Sequence, residues 1–434
     1  MKIRLAYGKT GLIIDLPAEW NATVVEPRFV PGLTDAPEAI RSALRQPIGS
    51  PGLAARVHAA VPCGVSLDQL TVGIIFSDIT RPTPNHIILP VVLAELETAG
   101  VRRDNITLFN ALGTHRPNTD TELRGMLGDA LVDDYRITQN NAFDPATQAH
   151  LGTSSRGHDV WLNRELVQCD LKILTGFIEP HFFAGFSGGG KAVMPGMAGL
   201  KTVLGNHDAG MIGHPNATWG VTRGNPIWEE AREVAMRAGD IFLLNVALNK
   251  EKQITGVFAG DLAAAHAQGC EFARQTAMVP VSHPFDIVIT TNSGYPLDLN
   301  LYQTVKGMCA AAQVVRQGGA IIAAAECWDG LPEHGLYGKL LHESSSPREL
   351  LDRINTPGFL EQDQWEAQIQ AIVQLKADVY LRSDGLSDEQ ITAALLKPCR
   401  SIEATVAELR ERYGPNATIC VLPEGPQTVA YIKA

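Results

Sequence analysis

Short, almost uninterrupted apolar runs alternate along the chain with longer stretches in which apolar positions recur every three or four residues. The runs are TVGIIFS at 71–77, ITLFNA at 106–111, LKILTG at 171–176, IFLLNVA at 241–247, DIVITT at 286–291, GAIIAAA at 319–325 and TICVLP at 418–423. Apolar on both faces and rich in β-branched residues, they predict buried strands of parallel sheets. Helical spacing fills VVLAELETAG at 91–100, LAAAHAQGCEFARQTA at 262–277, DQWEAQIQAIVQLKADVYL at 363–381 and SIEATVAELRERYG at 401–414. Strand and helix in alternation predict an α/β fold with mainly parallel, Rossmann-like sheets flanked by helices. The proline-flanked VPVSHPF at 279–285 ends a helical pattern and precedes a fresh strand. It places a boundary near 280, giving an N-terminal domain over 1–279 and a C-terminal α/β domain over 280–434.

Composition narrows the function. With 36 Lys and Arg against 47 Asp and Glu, the chain carries a formal charge of −11 and offers no overall positive field to gather nucleic-acid phosphates. The start MKIRLAYGKTGLIID has no basic segment followed by an apolar core and cleavage site, and no window is long and apolar enough to span a bilayer. Neither a signal peptide nor a membrane partner is expected. The 7 cysteines are scattered and never at CxxC spacing, so they read as small buried side chains in a reducing cytoplasm.

In open α/β sheets, ligands sit beyond the carboxyl ends of strands. Four loops there are rich in polar, histidine or glycine residues: SDITRPTPNH, GTHRPNTD, FIEPHFFAGFSGGGKAVMPG and NSGYPLDLNLYQTVKG. Three lie in the first expected domain and one in the second, so the expected site is a cleft between domains. Gly185 to Lys191 satisfies the GxxxxGK part of a phosphate-binding loop, but Ala192 stands where such a loop needs a hydroxyl for magnesium. A phosphotransferase is therefore disfavoured, and a tight backbone crossing explains the glycines better. His115, His181 and His207 each follow a strand pattern or lie in a Gly/Asn/Thr-rich loop, where imidazole serves as acid, base or metal ligand. His58, His150, His158, His266 and His342 carry the ordinary reading of surface or hydrogen-bonded core residues. Asp78, Thr80 and Arg81 form a compact group at a strand end, suited to a ribose hydroxyl and to a carboxylate or phosphate; an Asx-turn with a surface arginine accounts for them equally well. Gln303 and Lys306 share a helix face beside Tyr302, either as a carboxylate clamp or as an ordinary helix surface.

Taken together and in order, SDITRP, GTHRP, EPHFFAGFSGGGKAVMPG, GNH and NLYQTVKGM resemble the nickel-pincer lactate racemase family, whose members interconvert configurations of 2-hydroxy acids. The resemblance implies a nickel-pincer nucleotide, Ni(II)-pyridine-3,5-bisthiocarboxylic acid mononucleotide, joined covalently to Lys191, with His207 as nickel ligand. It implies that Asp78, Ile79, Thr80 and Arg81 contact this cofactor, with Trp365 near it. Arg81, Tyr302, Gln303 and Lys306 match substrate-binding residues, and His115 and His181 match the two acid/base histidines. It further implies a racemase or 2-epimerase acting on a lactate-like or larger 2-hydroxy acid, a hydride route through a 2-keto acid and a need for cofactor-making enzymes. A nucleotide- or cofactor-binding protein without turnover is the competing expectation. Phe182 and Phe183, beside His181, are candidate walls of the substrate pocket.

Overall fold

The computed structural model describes residues 1–332 and 335–433. Among these, twelve strands build two six-stranded sheets: β1 (Thr23–Val24), β2 (Val72–Ser77), β3 (Ile106–Ala111), β4 (Arg136–Gln139), β5 (Leu171–Phe177), β6 (Asp240–Leu248), β7 (Ile254–Gly260), β8 (Phe285–Thr291), β9 (Val315–Ala324), β10 (Ala377–Arg382), β11 (Lys397–Pro398) and β12 (Ile419–Leu422). The helices that frame the sheets and the site are α1 (Asn85–Thr98), α2 (Leu200–Asn206), α3 (Pro226–Met236), α4 (Leu262–Ala277), α5 (Leu301–Ala312), α6 (Gln364–Lys376) and α7 (Ile402–Tyr413). All seven apolar runs form strands, because each presents apolar side chains to helices on both faces. The α/β class holds. The helical expectation over 363–381 is corrected at its end: α6 stops at Lys376, and Ala377–Arg382 forms β10. There the burial period changes to two, with Ala377, Val379 and Leu381 inward, and the backbone pairs in parallel with β9.

The chain divides into two compact units that differ from a single cut at 280. One comprises Phe29–His207 and Pro215–Arg274; the other comprises Met1–Arg28, Asp208–His214 and Gln275–Ala434. The first 28 residues leave the expected N-terminal domain for a physical reason. β1 pairs in parallel with β12, and the hairpin of Lys2–Leu5 with Leu12–Asp15 buries Ile3, Leu5 and Ile14 against Ile287, Ile322, Val406 and Val421.

The sheet of the first unit runs β7-β6-β5-β2-β3-β4, parallel except for the β6–β7 pair at its edge. From β2 the chain moves outward to β3 and β4, then returns to β5 on the other side of β2. The β2/β5 junction is therefore a topological switch point, where the loops that leave the two strands part and open a crevice. Its core packs Ile74, Phe76, Ile173 and Leu244 against Ile88, Val92 and Leu96 of α1. The other unit carries the wholly parallel order β11-β10-β9-β8-β12-β1, with its own switch point between β8 and β12. α7 lays Ile402, Val406 and Leu409 on that sheet. No described helix is long and apolar enough to cross a membrane. All seven cysteines are free thiols; five are buried as expected, while Cys63 is exposed and Cys169 half-buried.

Candidate active site

The switch point of the first unit gathers most of the candidate residues. β2 ends at Ser77, so Asp78, Ile79, Thr80 and Arg81 form the turn leaving the sheet, and β3 ends at Ala111, four residues before His115. Neighbouring strand ends bring Asp78 and His115 into contact. The His115 Nδ1 lies 2.7 Å from Asp78 Oδ2, and the Thr80 hydroxyl donates to Asp78 Oδ1 at 2.8 Å. Arg81 donates back to the Thr80 hydroxyl at 3.1 Å. Burial alone would raise the Asp78 carboxyl; the charge and hydrogen bond of His115, with Arg81 and Thr80, overcome it and hold the group below its ordinary value. A carboxylate on Nδ1 keeps the ring proton there and leaves Nε2 as the basic nitrogen. Ile79 is half-buried beside this group.

β5 feeds the histidine- and glycine-rich loop. Pro180–His181 and Gly185–Phe186 form a two-residue antiparallel ladder, closing a tight turn around Phe182 and Phe183. Within it the Phe183 and Ala184 backbone N–H groups donate to His181 Nδ1 at 3.4 and 3.3 Å. This arrangement puts the proton of neutral His181 on Nε2, opposite to His115.

Phe183 is the centre of the cluster. Its ring meets His181 edge-on at 4.5 Å between centroids and His207 at 5.1 Å, and the Lys191 Nζ stands 5.2 Å from its centroid. Three residues separated in sequence by as many as 26 positions thus converge on one buried phenyl ring. Asn225, the N-cap of α3, fixes the turn that carries it by donating to the Phe183 carbonyl at 2.8 Å. Phe182 stacks on His181 at 4.7 Å and meets Phe183 edge-on at 4.6 Å. Phe183 thus packs the histidine and lysine groups together, a role beyond the pocket wall expected from its place in the sequence.

The glycines answer to close approach. Gly188 (φ +74°) and Gly189 (φ +56°) occupy the left-handed region, and Cβ atoms there would lie 2.5 Å from Asn245 Oδ1 and 2.8 Å from the His266 ring. Asn245, from the middle of β6, accepts the Gly189 N–H at 2.8 Å. The chain then makes a single 3₁₀ turn, Gly189–Ala192, in place of the helix that a nucleoside-triphosphate loop requires. Gly189→Ala should lower stability by about 1–3 kcal/mol, checked by denaturant unfolding, because the left-handed backbone and the His266 ring both resist a side chain. The Lys191 loop is also tied to the His115 loop, through the Gly113 N–H to the Gly196 carbonyl at 3.0 Å.

His207 closes α2, is 3% exposed, and its pKa is pushed well down, first by burial and then by the Lys191 charge. The imidazole is therefore neutral, the form a metal ion requires.

In the other unit, the loop after β8 ends at Asn300, whose side chain caps α5 by accepting the Gln303 N–H at 3.1 Å. One turn of α5 then presents Tyr302, Gln303 and Lys306. Lys306 Nζ donates to Gln303 Oε1 at 2.6 Å, and Trp365 Nε1 of α6 donates to the Tyr302 hydroxyl at 2.9 Å. Lysine and amide N–H groups side by side are complementary to a carboxylate.

Asn225, Asn245 and the packing role of Phe183 escaped assignment from sequence. Asn245 left a trace there, a lone amide within the run IFLLNVA.

The chain is similar to known proteins over nearly its whole length. The profile of the lactate racemase N-terminal domain matches residues 7–220, and that of the lactate racemase C-terminal domain matches residues 281–430. A lactate racemase of Thermoanaerobacterium thermosaccharolyticum is 34% identical over 435 residues, 99% of each chain. One from Lactiplantibacillus plantarum is 37% identical over 390 residues, 89% of each. The structure of the Thermoanaerobacterium apoprotein superposes with a TM-score of 0.90, covering 99% of this chain and 100% of that one. A Thermotoga maritima crystal structure, 18% identical with a TM-score of 0.71 over 93% of this chain and all of its own, shares the fold. The protein is thus an isomerase built on two α/β units. Specifically, the chain belongs to the lactate racemase family and is a racemase.

Proposed function

We propose that this racemase inverts the 2-carbon of small 2-hydroxy acids, lactate or a close relative, using a nickel-pincer nucleotide carried on Lys191. The observation that carries the reading is the convergence of Lys191, His181 and His207 on Phe183, with the Asp78–His115 pair on the neighbouring strand end. Among the described residues no cluster of three or more His, Cys, Asp or Glu side chains is arranged around a metal ion. A nickel ion here would therefore draw most of its donors from the nucleotide, with His207 supplying one neutral nitrogen. Square-planar nickel(II) accepts such a set. The residues present fit the group: a lysine amine on a pinned loop, one buried neutral imidazole, and Asp78, Thr80 and Arg81 at the switch point, with Ile79 among them; Trp365 is assigned to it by the family resemblance alone.

When bound, the nucleotide supplies the reversible hydride acceptor that no side chain offers. The chain's own groups do the rest. His115, oriented by Asp78, takes the hydroxyl proton through Nε2 as the substrate becomes a 2-keto acid. His181 begins with its proton on Nε2 and donates toward the carbonyl oxygen when the planar keto acid is reduced on its opposite face. On the family resemblance, Arg81 of one unit and Tyr302, Gln303 and Lys306 of the other are assigned to the substrate, whose carboxylate suits a guanidinium and an ammonium group.

Asp78→Asn should lower kcat about a hundredfold or more, because an amide neither holds the required His115 tautomer nor stabilises the imidazolium. The covalent mass increment should persist, which steady-state kinetics together with intact mass spectrometry would check. The function itself is tested on protein produced with cofactor-making enzymes and offered single-enantiomer 2-hydroxy acids. Chiral chromatography should show each enantiomer of a preferred acid converting to the racemate. A loaded protein that inverts none of the panel would overturn the reading.

A further inference from the structure

The buried carboxylate of Glu230, on α3, has no part in the proposed mechanism, yet it bonds the residue that precedes the proposed nickel ligand. It is 2% exposed and accepts hydrogen bonds from the Ser154 hydroxyl, from His158 Nδ1 at 2.8 Å and from Asn206 Nδ2 at 2.8 Å. Burial opposes its charge, but these three donors more than offset that effect and keep the carboxyl below its ordinary value.

Asn206 immediately precedes His207 and is the last residue of α2, a helix of 7 residues. Two turns of helix are not stable alone, so α2 takes its place from tertiary anchors. At its start, the Thr202 hydroxyl accepts the Trp161 N–H at 2.7 Å and donates to the Asp159 carbonyl at 2.9 Å. Its last turn rests on the Glu230 group: Asn206 bonds the carboxylate, and Gly205 lies so close to His158 that a Cβ would fall 2.8 Å from the ring. The His207 N–H closes that same turn on the Val203 carbonyl at 2.9 Å.

We propose that Glu230 is a positioning residue that acts through Asn206 to hold His207 in place for the metal. The proposal rests on the nickel reading of His207. It gives His158 and Ser154 a function as well, since they supply the hydrogen bonds that let the carboxylate remain charged in the interior.

The test uses Glu230→Gln alone and Glu230→Gln combined with Asn206→Asp. The single change leaves one acceptor oxygen where the carboxylate had two, so an amide N–H group faces either the Asn206 amide or the Ser154 and His158 donors. The combined change restores a donor–acceptor pair across the same gap and preserves the charge. In protein loaded with cofactor, nickel release to a chelator should be about tenfold or more faster in the single variant. It should return toward the wild-type rate in the combined variant. In the unloaded protein, amide hydrogen exchange over 203–208 should follow the same order. Equal nickel release in wild type and single variant, or a combined variant that releases nickel as fast as the single one, would overturn the proposal. So would exchange over 203–208 that does not respond to Glu230→Gln. If loaded wild type contains no nickel, the metal role of Glu230 falls with the cofactor reading, while exchange still decides whether Glu230 anchors α2.

Discussion

Lys191→Ala should emerge from the cofactor-loading system with no gain in intact mass and with racemase turnover at background. In the proposed function the Lys191 amine alone provides the covalent link, while the loop that presents it is held by other groups. Asn245 fixes Gly189, the Gly113–Gly196 bond ties the loop to its neighbour, and Gly188 and Gly189 are packed against Asn245 and His266. The lysine is half-buried, so its removal leaves those contacts standing. Lys191→Arg extends the test, since it keeps the positive charge above Phe183 but offers no primary amine. Both variants should therefore give the bare polypeptide mass. A variant that gains the same mass as wild type would remove Lys191 from its role.

The second large effect falls on the histidines. His115→Ala and His181→Ala should each reduce inversion by about 10²–10⁴-fold, the range set by loss of a positioned acid or base. Both should retain the Lys191 modification and its nickel, because neither histidine is the tethering residue or the proposed metal ligand. Their surroundings make the two unequal at the start of the reaction. His115 faces a buried carboxylate and leaves Nε2 to accept a proton, whereas backbone N–H groups on His181 Nδ1 place its proton on Nε2. Steady-state rates in both directions, read beside intact mass, check this assignment. Full activity in either variant would contradict the two-base scheme.

How far the sequence carried these conclusions depended on whether a signal was local. The seven buried strands were legible because each run is apolar on both faces, and the switch-point loops were legible because they interrupt such runs with His, Gly, Asp and Arg. β10 was hidden within a helical pattern, since no glycine or proline separates Lys376 from Ala377 and the change of period lasts only six residues. The allegiance of residues 1–28 to the C-terminal unit depends on pairing between β1 and β12, nearly 400 residues apart, which no local pattern encodes. Asp78 could be placed at a strand end, but its bond to His115 became visible only when β2 and β3 were adjacent in the sheet. Phe183 looked like a pocket wall because it neighbours His181; the fold shows it packed among His181, Lys191 and His207. Glu230 left no trace at all, one acidic residue among several on an amphipathic helix.

The hydride route is tested most directly by tracking the hydrogen on the inverted carbon. Loaded enzyme is given one enantiomer of lactate deuterated at that carbon, in ordinary water, and the opposite enantiomer is isolated at low conversion for mass spectrometry. Transfer to an internal acceptor and back predicts product that still carries the deuterium. Product bearing solvent hydrogen at that position after each inversion would mean removal as a proton, and would contradict the account.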